Sequence, residues 1–265
     1  MTVAFNHLGK LGRLGNQMFQ YAATKGIASK IGAEFMIPDH REIFDDGIGN
    51  KYTILLYDAF DKLDGKRGSL NTTDYISEKG FAFDSNLFNV SNNVDFSLWG
   101  FFQTEKYFKH IEDEIRKDFT FKDEILFPCK ELIETVDNPI ALHIRRGDFL
   151  INSGNHPPLG LDYYEKALSQ FDSNRTVVIF SDDTKWCKEQ KLFESDRFIV
   201  AENNHQFHDM CLMSMCDDFI IGNSTFSWWG AWLSNKGKVI APKKWFGQNL
   251  RHDTKDLYCE GWVLL

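Results

Sequence analysis

Two arginines, a glycine and a carboxylate follow directly on a short apolar stretch. Residues 140–149 read IALHIRRGDF. A short apolar stretch is typical of a buried strand, and ligands of open α/β sheets bind just beyond the carboxyl ends of the strands. The planar guanidinium groups of Arg145 and Arg146 match pairs of phosphate oxygens. The pattern therefore predicts a diphosphate site at this strand end, and a surface salt-bridge cluster is the alternative.

A second polar group follows the predicted strand 218–222 and begins a helix. It consists of Asn223, Ser224, Thr225, Phe226 and Ser227. The N-terminus of a helix offers N–H donors and about half a positive charge. Hydroxyl and amide groups there either cap the helix or help to bind phosphate. Trp229 and Trp232 share a helical face just beyond this group, which favours core packing over sugar stacking.

Two carboxylates, Asp182 and Asp183, follow the β-branched stretch 176–180. A carboxylate at a strand end can accept hydrogen bonds from paired N–H groups such as those on the edge of a guanine base. The alternative is that these side chains cap the predicted helix 184–191. A metal site is not indicated, because His205 and His208 have no third ligand near them in the sequence.

A glycine-rich turn follows the first predicted strand, residues 3–5. Its glycines recur every third residue, at Gly9, Gly12 and Gly15. This spacing differs from the dinucleotide fingerprint, whose first two glycines are two residues apart. Asn16 and Gln17 come next, at the start of a helical pattern, so their amides are expected to face a ligand. The alternative is a flexible turn with no ligand.

The hydrophobic pattern predicts two α/β halves that meet at Asn138–Pro139, with residues 1–137 as the first domain and residues 138–265 as the second. Strands that alternate with helices indicate parallel sheets. Helices are expected over residues 103–117 and, from Pro128, over residues 128–136. The stretch 39–98 is expected to be loops with short strands or helices. The predicted strands span residues 3–5, 35–37, 140–144, 176–180, 198–201, 218–222 and 239–242.

Composition narrows the class of protein. A chain of 265 residues with a formal net charge of -8 at pH 7 is a poor general nucleic-acid binder, because phosphate attraction needs a basic face. The five cysteines are scattered and odd in number, which favours reduced thiols in the cytoplasm. No stretch approaches the roughly 20 apolar residues of a membrane span, so at most peripheral membrane contact is expected.

Four motifs together resemble the bacterial α-1,2-fucosyltransferases, GDP-fucose-dependent enzymes. In chain order they read GRLGNQMFQYA from Gly12, HIRRGD from His143, FSDD from Phe180 and NSTFSWW from Asn223. Any one of these motifs is weak evidence, but four in order over residues 12–233 are specific. The stretch 39–100 carries no matching motif.

This resemblance implies a GT-B fold, in which two Rossmann-like α/β domains face each other across a cleft. It implies GDP-fucose as donor, a galactose-terminated glycan as acceptor, inversion at the anomeric carbon, and no required metal or other cofactor. The second domain would hold the donor and the first the acceptor. Arg145 would contact the β-phosphate, helped by the helix N-terminus at Ser224–Ser227, and His143 with Asp182 or Asp183 would lie near the guanosine.

An inverting transfer also requires a base for the acceptor hydroxyl. Asp148 is the carboxylate closest in sequence to the predicted phosphate site, and His156 follows in the next loop. Asp148 could instead pair with Arg146 and hold the loop. Two other functions stay open at this point: a fucosyltransferase of another linkage, and a non-catalytic protein that binds nucleotide sugars or glycans on the same scaffold.

Overall fold

The computed structural model describes residues 1–39, 44–45, 51–90, 94–202 and 204–265. The chain forms two compact units. Unit 1 comprises Met1–Lys122 and His252–Cys259, and unit 2 comprises Asp123–Arg251 and Glu260–Leu265. The division thus falls before residue 123 rather than at the predicted 137/138. The reason is that the helix Asp123–Ile133 packs against the helix Gln206–Met215 of the second unit.

Unit 1 is built on a five-stranded parallel sheet with the strand order β5-β2-β1-β7-β6. The strands of this unit, including a separate antiparallel pair β3-β4, are β1 (Thr2–Ala4), β2 (Glu34–Ile37), β3 (Phe44–Asp45), β4 (Lys51–Tyr52), β5 (Lys66–Arg67), β6 (Tyr75–Ser77) and β7 (Phe96–Trp99). Its helices are α1 (Leu14–Ile31), α2 (Leu56–Ala59) and α3 (Glu112–Asp118).

Helix α1 is the central helix of unit 1, and most of its circumference is buried. The helix packs closely against the backbone at Tyr107, because a Cβ added at Gly26 would lie 2.1 Å from the carbonyl oxygen of Tyr107. Its one buried cation, Lys25, is paired with Asp118 at 2.6 Å. A buried charge needs such a partner, because desolvation is otherwise costly. The helix ends at Gly32, whose φ of 67° suits glycine.

Unit 2 contains a six-stranded parallel sheet with the strand order β10-β9-β8-β11-β12-β13. The strands are β8 (Ile140–Ile144), β9 (Val177–Ser181), β10 (Phe198–Val200), β11 (Asp218–Ile220), β12 (Val239–Ala241) and β13 (Val263–Leu264). The helices are α4 (Asp123–Ile133), α5 (Gly147–Ile151), α6 (Leu161–Leu168), α7 (Thr184–Lys188), α8 (Gln206–Met215) and α9 (Thr225–Ser234).

The strand order of unit 2 reverses between β8 and β11. The chain first adds β9 and β10 on one side of β8, and then crosses to its other side for β11, β12 and β13. Such a reversal opens a crevice outside the carboxyl ends of the two central strands, where open α/β sheets bind their ligands. The topology therefore indicates the segments after Ile144 and after Ile220 as the candidate ligand-binding segments of unit 2.

The predicted parallel α/β architecture is confirmed, and each predicted strand lies within two residues of an observed one at either end. Two helix predictions are wrong. Residues 103–117 contain two short 3-10 turns, and the α-helix begins only at Glu112. Pro128 does not begin a helix but lies inside α4, which starts five residues earlier with two acidic residues at its positive end. Part of the stretch 39–98, namely 40–43, 46–50 and 91–93, lies outside the described residues.

The tryptophans of α9 form core, as predicted. Trp228 and Trp229 are fully buried and Trp232 is nearly so, and their rings pack edge-on or stacked within 6.3 Å of one another. All five cysteines are free thiols. No helix among the described residues combines the length and the apolar character that crossing a membrane requires.

Candidate active site

The carboxyl ends of β8, β9 and β11 bring most of the predicted site residues of unit 2 into one region. Strand β8 carries His143 and leads into Arg145 and Arg146, β9 leads into the two aspartates, and β11 leads into the start of α9. Strand β8 pairs with both β9 and β11. The short apolar strands are buried on both faces, so their polar ends are the first positions that can meet a ligand.

Arg145 is held between two carboxylates. Its Nε donates to Asp148 Oδ1 at 3.0 Å, and its Nη2 lies 2.7 Å from the same oxygen. Its Nη1 lies 3.0 Å from Asp182 Oδ2. These contacts fix the guanidinium at the end of β8 while its side chain keeps 21 % of its surface exposed. A cation so placed is oriented before an anionic ligand arrives.

Arg146 points in another direction and stabilises the β9–α7 junction. Its Nε donates to Asp183 Oδ2 at 3.0 Å, and its guanidinium carbon lies 3.9 Å from the centroid of the Trp186 ring. Its backbone N–H donates to Asp182 Oδ1 at 2.9 Å. The two arginines therefore differ in role: Arg145 lies at the strand end with its partners, whereas Arg146 supports the segment that carries Asp182.

Asp183 caps helix α7, as the capping alternative predicted. Its Oδ1 accepts from the backbone N–H of Trp186 at 3.1 Å, and its Oδ2 accepts from Arg146. Asp182 makes no such cap, and its two oxygens face Arg145 and the backbone of Arg146. A carboxylate has about four acceptor sites, so Asp182 retains capacity for a ligand's N–H groups.

His143 is the buried polar group of this region. Its side chain is 5 % exposed, and its Nδ1 accepts no hydrogen bond from any described residue. Burial, together with the positive charge of Arg145, lowers the pKa of His143 to about 3, so the imidazole is neutral at physiological pH. The ring lies 5.6 Å from that of Phe226 at the start of α9. A buried acceptor without a partner indicates a ligand site or strain.

The polar group at the start of α9 divides into structural and exposed members. Asn223 Nδ2 donates to the carbonyls of Pro157 and Trp245, both at 3.0 Å, so this amide ties two loops together. Ser227 is fully buried and donates to backbone carbonyls. Ser224 caps the helix through the N–H of Phe226.

The N-terminus of α9 has the chemistry that binding of an anion requires. Thr225 is the first residue of this ten-residue helix, and Ser224, Thr225 and Phe226 are partly exposed. The helix dipole favours negative charge at this end, and the first-turn N–H groups point outward from it. The structural roles of Asn223 and Ser227 fix the position of this terminus relative to β11.

The two candidate bases lie close to Arg145 in the sequence and contact aromatic or charged partners. Asp148 pairs with Arg145 and not with Arg146, so the alternative pairing in the sequence analysis is wrong. Its side chain is 52 % exposed. The ring of His156 stacks on that of Phe149 at 5.2 Å and lies 5.6 Å from that of Phe246.

The glycine turn belongs to unit 1, whereas the residues described above belong to unit 2. Gly15 and Gln17 are buried in the first turn of α1, and Asn16 is partly exposed. Gln17 uses its amide to hold residues 53–55: Nε2 donates to the carbonyl of Thr53 at 2.7 Å, and Oε1 accepts from the N–H of Leu55 at 2.8 Å. The structure thus gives Gln17 a structural role.

Asn16 is positioned by a residue that the sequence analysis did not identify. Gln103 Nε2 donates to Asn16 Oδ1 at 3.0 Å, although 87 residues separate the two. Gly12 is required by the same side chain, because a Cβ there would lie 2.0 Å from Asn16 Nδ2. No local signal marks Gln103, since its partner lies in helix α1, far away in the sequence.

Comparison with known proteins places this geometry in a family. The family model described as Glycosyl transferase family 11 matches residues 4–265. The chain belongs to this family. A 32% identical relative, the alpha-1,2-colitosyltransferase of Escherichia coli, aligns over 89% of this chain and 90% of its own length. The O-antigen biosynthesis glycosyltransferase WbnK of Escherichia coli is 29% identical over 96% of this chain and 98% of its own.

This family 11 chain is also similar to a human protein in sequence and to two solved structures in fold. Human galactoside alpha-(1,2)-fucosyltransferase 1 is 24% identical over 86% of this chain and 65% of its own length. NodZ alpha-1,6-fucosyltransferase, soaked with GDP-fucose, has a TM-score of 0.54 at 12% identity, over 88% of this chain and 92% of its own. POFUT1 in complex with GDP has a TM-score of 0.52 at 13% identity, over 89% of this chain and 94% of its own. These structures show the fold, which is of the GT-B type and confirms the expectation from the sequence.

Proposed function

We propose that this family 11 protein transfers L-fucose from GDP-fucose to the 2-hydroxyl of a terminal galactoside, with inversion at the anomeric carbon. The observation that carries the proposal is Arg145, fixed at the strand-order reversal of unit 2 by Asp148 and Asp182. Relatives named for α-1,2 transfer of fucose and of colitose support the linkage. In this proposal unit 2 holds the donor and unit 1 the acceptor.

Arg145 stabilises the leaving group in the proposed reaction. Cleavage of the glycosidic bond leaves negative charge on the β-phosphate of GDP, and preorganised donors that face this charge lower the barrier. The N-terminus of α9 adds its dipole. A charge-assisted hydrogen bond contributes roughly 1.5–3 kcal/mol, which corresponds to about ten- to more than a hundredfold in rate if it forms mainly in the transition state. We propose that these groups do so without a metal ion.

The nucleoside is proposed to lie between His143 and Asp182. The neutral imidazole has an acceptor at Nδ1 with no partner among the described residues, and it is packed against Phe226. Asp182 can accept from the N–H groups on the edge of guanine. Asp183, which caps α7 and pairs with Arg146, takes part by holding this junction in place.

Asp148 is the proposed base, and His156 is the second candidate. Asp148 is half exposed and paired with the cation that would bind the β-phosphate, so its carboxylate lies beside the proposed leaving group and is accessible to an acceptor hydroxyl. Proton transfer to a positioned carboxylate is the usual requirement for an inverting displacement. A strongly dissociative transition state would reduce this requirement.

Transfer of colitose is the second candidate function, because the 32% identical relative is named for it. Colitose is L-fucose without its 3-hydroxyl group. A site that hydrogen-bonds that hydroxyl rejects the deoxy sugar strongly, whereas a site that does not bind it accepts both. The two functions therefore differ in one donor contact and share the acceptor chemistry.

One experiment separates these functions. The protein is incubated with GDP-fucose or GDP-colitose and a panel of β-galactosides and β-glucosides, and the linkage of any product is assigned by NMR. We expect an α-1,2 linkage on galactosides with GDP-fucose as the better donor. A product of another linkage, or a preference for GDP-colitose, would contradict the proposal. A thermal shift with GDP, but no transfer to any acceptor, would identify a binding protein.

A further inference from the structure

Unit 1 carries three aromatic side chains that pack on one another, two of them exposed, and no step above uses them. This aromatic cluster consists of His7, Tyr75 and Trp99. Tyr75 is 44% exposed and Trp99 is 38% exposed. The imidazole of His7 stacks on the Tyr75 ring at 5.5 Å and lies edge-on to the Trp99 ring at 4.7 Å. Large apolar side chains on an edge strand such as β6 promote aggregation unless they bind something.

The sheet register places the two exposed rings on one face. Tyr75 lies opposite Ser97 and Ser77 lies opposite Trp99 in the parallel pair β6-β7. Because side chains alternate along a strand, Tyr75 and Trp99 point to the same side of the sheet. His7 follows β1, which pairs with β7, and so reaches the same side. The cluster is therefore a continuous surface formed by three separate segments.

The turn after Trp99 holds this surface rigidly. Glu78 accepts the backbone N–H groups of Phe101 and Phe102, each at 2.9 Å. Phe102 has a φ of 53° and Gly100 a φ of 154°. A phenylalanine with positive φ is strained, and such strain persists where the surroundings fix it, most often at functional sites.

The same turn is hydrogen-bonded to the glycine turn. Gln20 Nε2 donates to the carbonyl of Gly100 at 3.2 Å and to that of Leu11 at 2.9 Å. Gln103, three residues beyond Gly100, donates to Asn16. Among the described residues, the buried acceptors Gln20 Oε1, Gln103 Oε1 and His7 Nδ1 have no hydrogen-bond partner. Unpartnered buried acceptors reduce stability, and they indicate a ligand site or strain.

The charge around the cluster selects a neutral ligand. Burial and the charge of Lys10 lower the pKa of His7, so this imidazole is neutral at physiological pH. Asp74 precedes Tyr75, and the carboxyl group of Glu78 lies beneath the turn. Lys10 and these two carboxyl groups together carry no net positive charge, so this surface does not favour an anionic diphosphate. A ligand that combines an apolar face with hydroxyl groups matches the ring faces and the polar tips of the tyrosine and tryptophan.

We propose that the aromatic cluster binds the terminal hexose of the acceptor glycan, with the apolar C3–C5 face of galactose stacked on Trp99 and Tyr75. This inference rests on the proposed function, which gives the reason why a glycan would bind to this protein. Two exposed rings match one sugar ring, whereas a stable protein interface needs about 800 Å² on each partner. The hydrogen bonds from the cluster's turn to the glycine turn link the acceptor surface to Asn16 within one unit.

Three variants of the full chain test the proposal. Trp99→Ala removes the stacking surface, Trp99→Phe restores a ring, and Phe127→Ala removes a similarly exposed ring on α4 of unit 2 as the control. We expect Trp99→Ala to raise the KM for the galactoside about tenfold, a loss equal to one aromatic contact. Trp99→Phe should stay within about threefold of wild type, and Phe127→Ala should not change KM. The thermal shift with GDP should stay the same in all three.

Saturation-transfer NMR with methyl β-D-galactoside separates this proposal from the proposed function. We expect the strongest signals from the protons on C3, C4 and C5, and their loss in Trp99→Ala. If this loss occurs in a protein that shows no fucosyl transfer, the sugar site holds and the proposed function fails. If transfer occurs but Trp99→Ala keeps the wild-type KM and NMR signals, the sugar site fails. A dimer that dissociates on Trp99→Ala, measured by sedimentation, would also overturn the proposal.

Discussion

The guanidinium of Arg146 stacks on Trp186, with its carbon atom 3.9 Å from the ring centroid. The same guanidinium donates to Asp183, the N-cap of α7. Trp186 lies in the first turn of α7, so one arginine holds both the cap and the first turn of this helix. Because the carboxylate of Asp182 immediately precedes this segment, Arg146 is a positioning residue for the proposed nucleoside contact.

Replacing Arg146 with lysine should weaken donor binding more than the chemical step. Lysine keeps the charge but loses the planar stack, which contributes about 1 kcal/mol at a partly buried site such as this one. We expect a similar loss of unfolding free energy in urea, a severalfold rise in the KM for GDP-fucose, and little change in kcat. Arg197→Lys is the matched control. The guanidinium carbon of Arg197 lies 4.7 Å from the centroid of the Phe198 ring, and this pair is not part of the site. An unchanged donor KM in Arg146→Lys would remove the positioning role.

Removing the guanidinium of Arg145 should abolish transfer while leaving the fold intact. The expected loss of kcat/KM in Arg145→Ala is about a hundredfold, near the upper end of the range given above, since the lost contact is charge-assisted and faces the leaving group. Arg145→Lys should recover part of it. Arg175→Ala serves as the control, because Arg175 pairs with Asp218 at the opposite end of β11. Steady-state kinetics together with circular dichroism measure both effects, and a near-normal rate in Arg145→Ala would exclude this arginine from the mechanism.

The sequence was most informative where contacts are local. Residues 140–149 predicted both a buried strand and its polar end, because the apolar residues, the turn and the charged residues are adjacent in the chain. The prediction that Asn16 and Gln17 both face a ligand was less informative. The partners of these amides, Gln103 and residues 53–55, are distant in sequence, so no local pattern could show that Gln17 is already bonded.

The domain boundary shows the same limit. Asn138–Pro139 is a strong local turn signal, yet the division lies before Asp123, where α4 begins and packs on α8. The segment His252–Cys259 also belongs to unit 1. Its contacts join residues far apart in the sequence, such as the ion pair between Lys106 and Asp256 at 2.5 Å, so no local pattern predicts them. The positions of β6 and β7 were not predicted, because the stretch 39–98 was expected to contain short strands or helices but its weak hydrophobic periodicity does not locate them.

The role of Asp148 as a base is tested by Asp148→Asn. The amide keeps the size and a hydrogen-bond acceptor for Arg145 but cannot take a proton. We expect a fall in kcat of about a hundredfold or more and the loss of the acidic limb of the pH–rate profile. His143 does not produce that limb in the wild type, because its pKa of about 3 leaves the imidazole neutral over the pH range in which the rate is measured. If Asp148→Asn keeps both rate and profile, His156→Gln becomes the variant to measure.

Transfer should survive the removal of divalent metal ions. In the proposed mechanism, Arg145 and the N-terminus of α9 supply the positive charge that faces the β-phosphate. We expect the initial rate in excess EDTA to stay within about twofold of the rate with added magnesium or manganese. A rate that disappears with EDTA and returns with either ion would contradict this assignment.

Asp209, near the start of α8, should make the stability of the protein depend on pH. Burial raises the pKa of Asp209 from its usual value near 3.8 to about 6, against the opposing hydrogen bond from Asn204. A carboxyl group whose pKa is higher in the folded protein contributes stability that is fully present below pH 3.8 and is lost as the pH rises through 6. The Asp209→Asn variant lacks this loss. Its unfolding free energy relative to wild type should therefore rise between pH 4 and pH 7, by about 1–3 kcal/mol, as measured by urea unfolding at each pH. Asp172→Asn, at an exposed turn, is the control, and a constant difference across this range would show that Asp209 titrates normally.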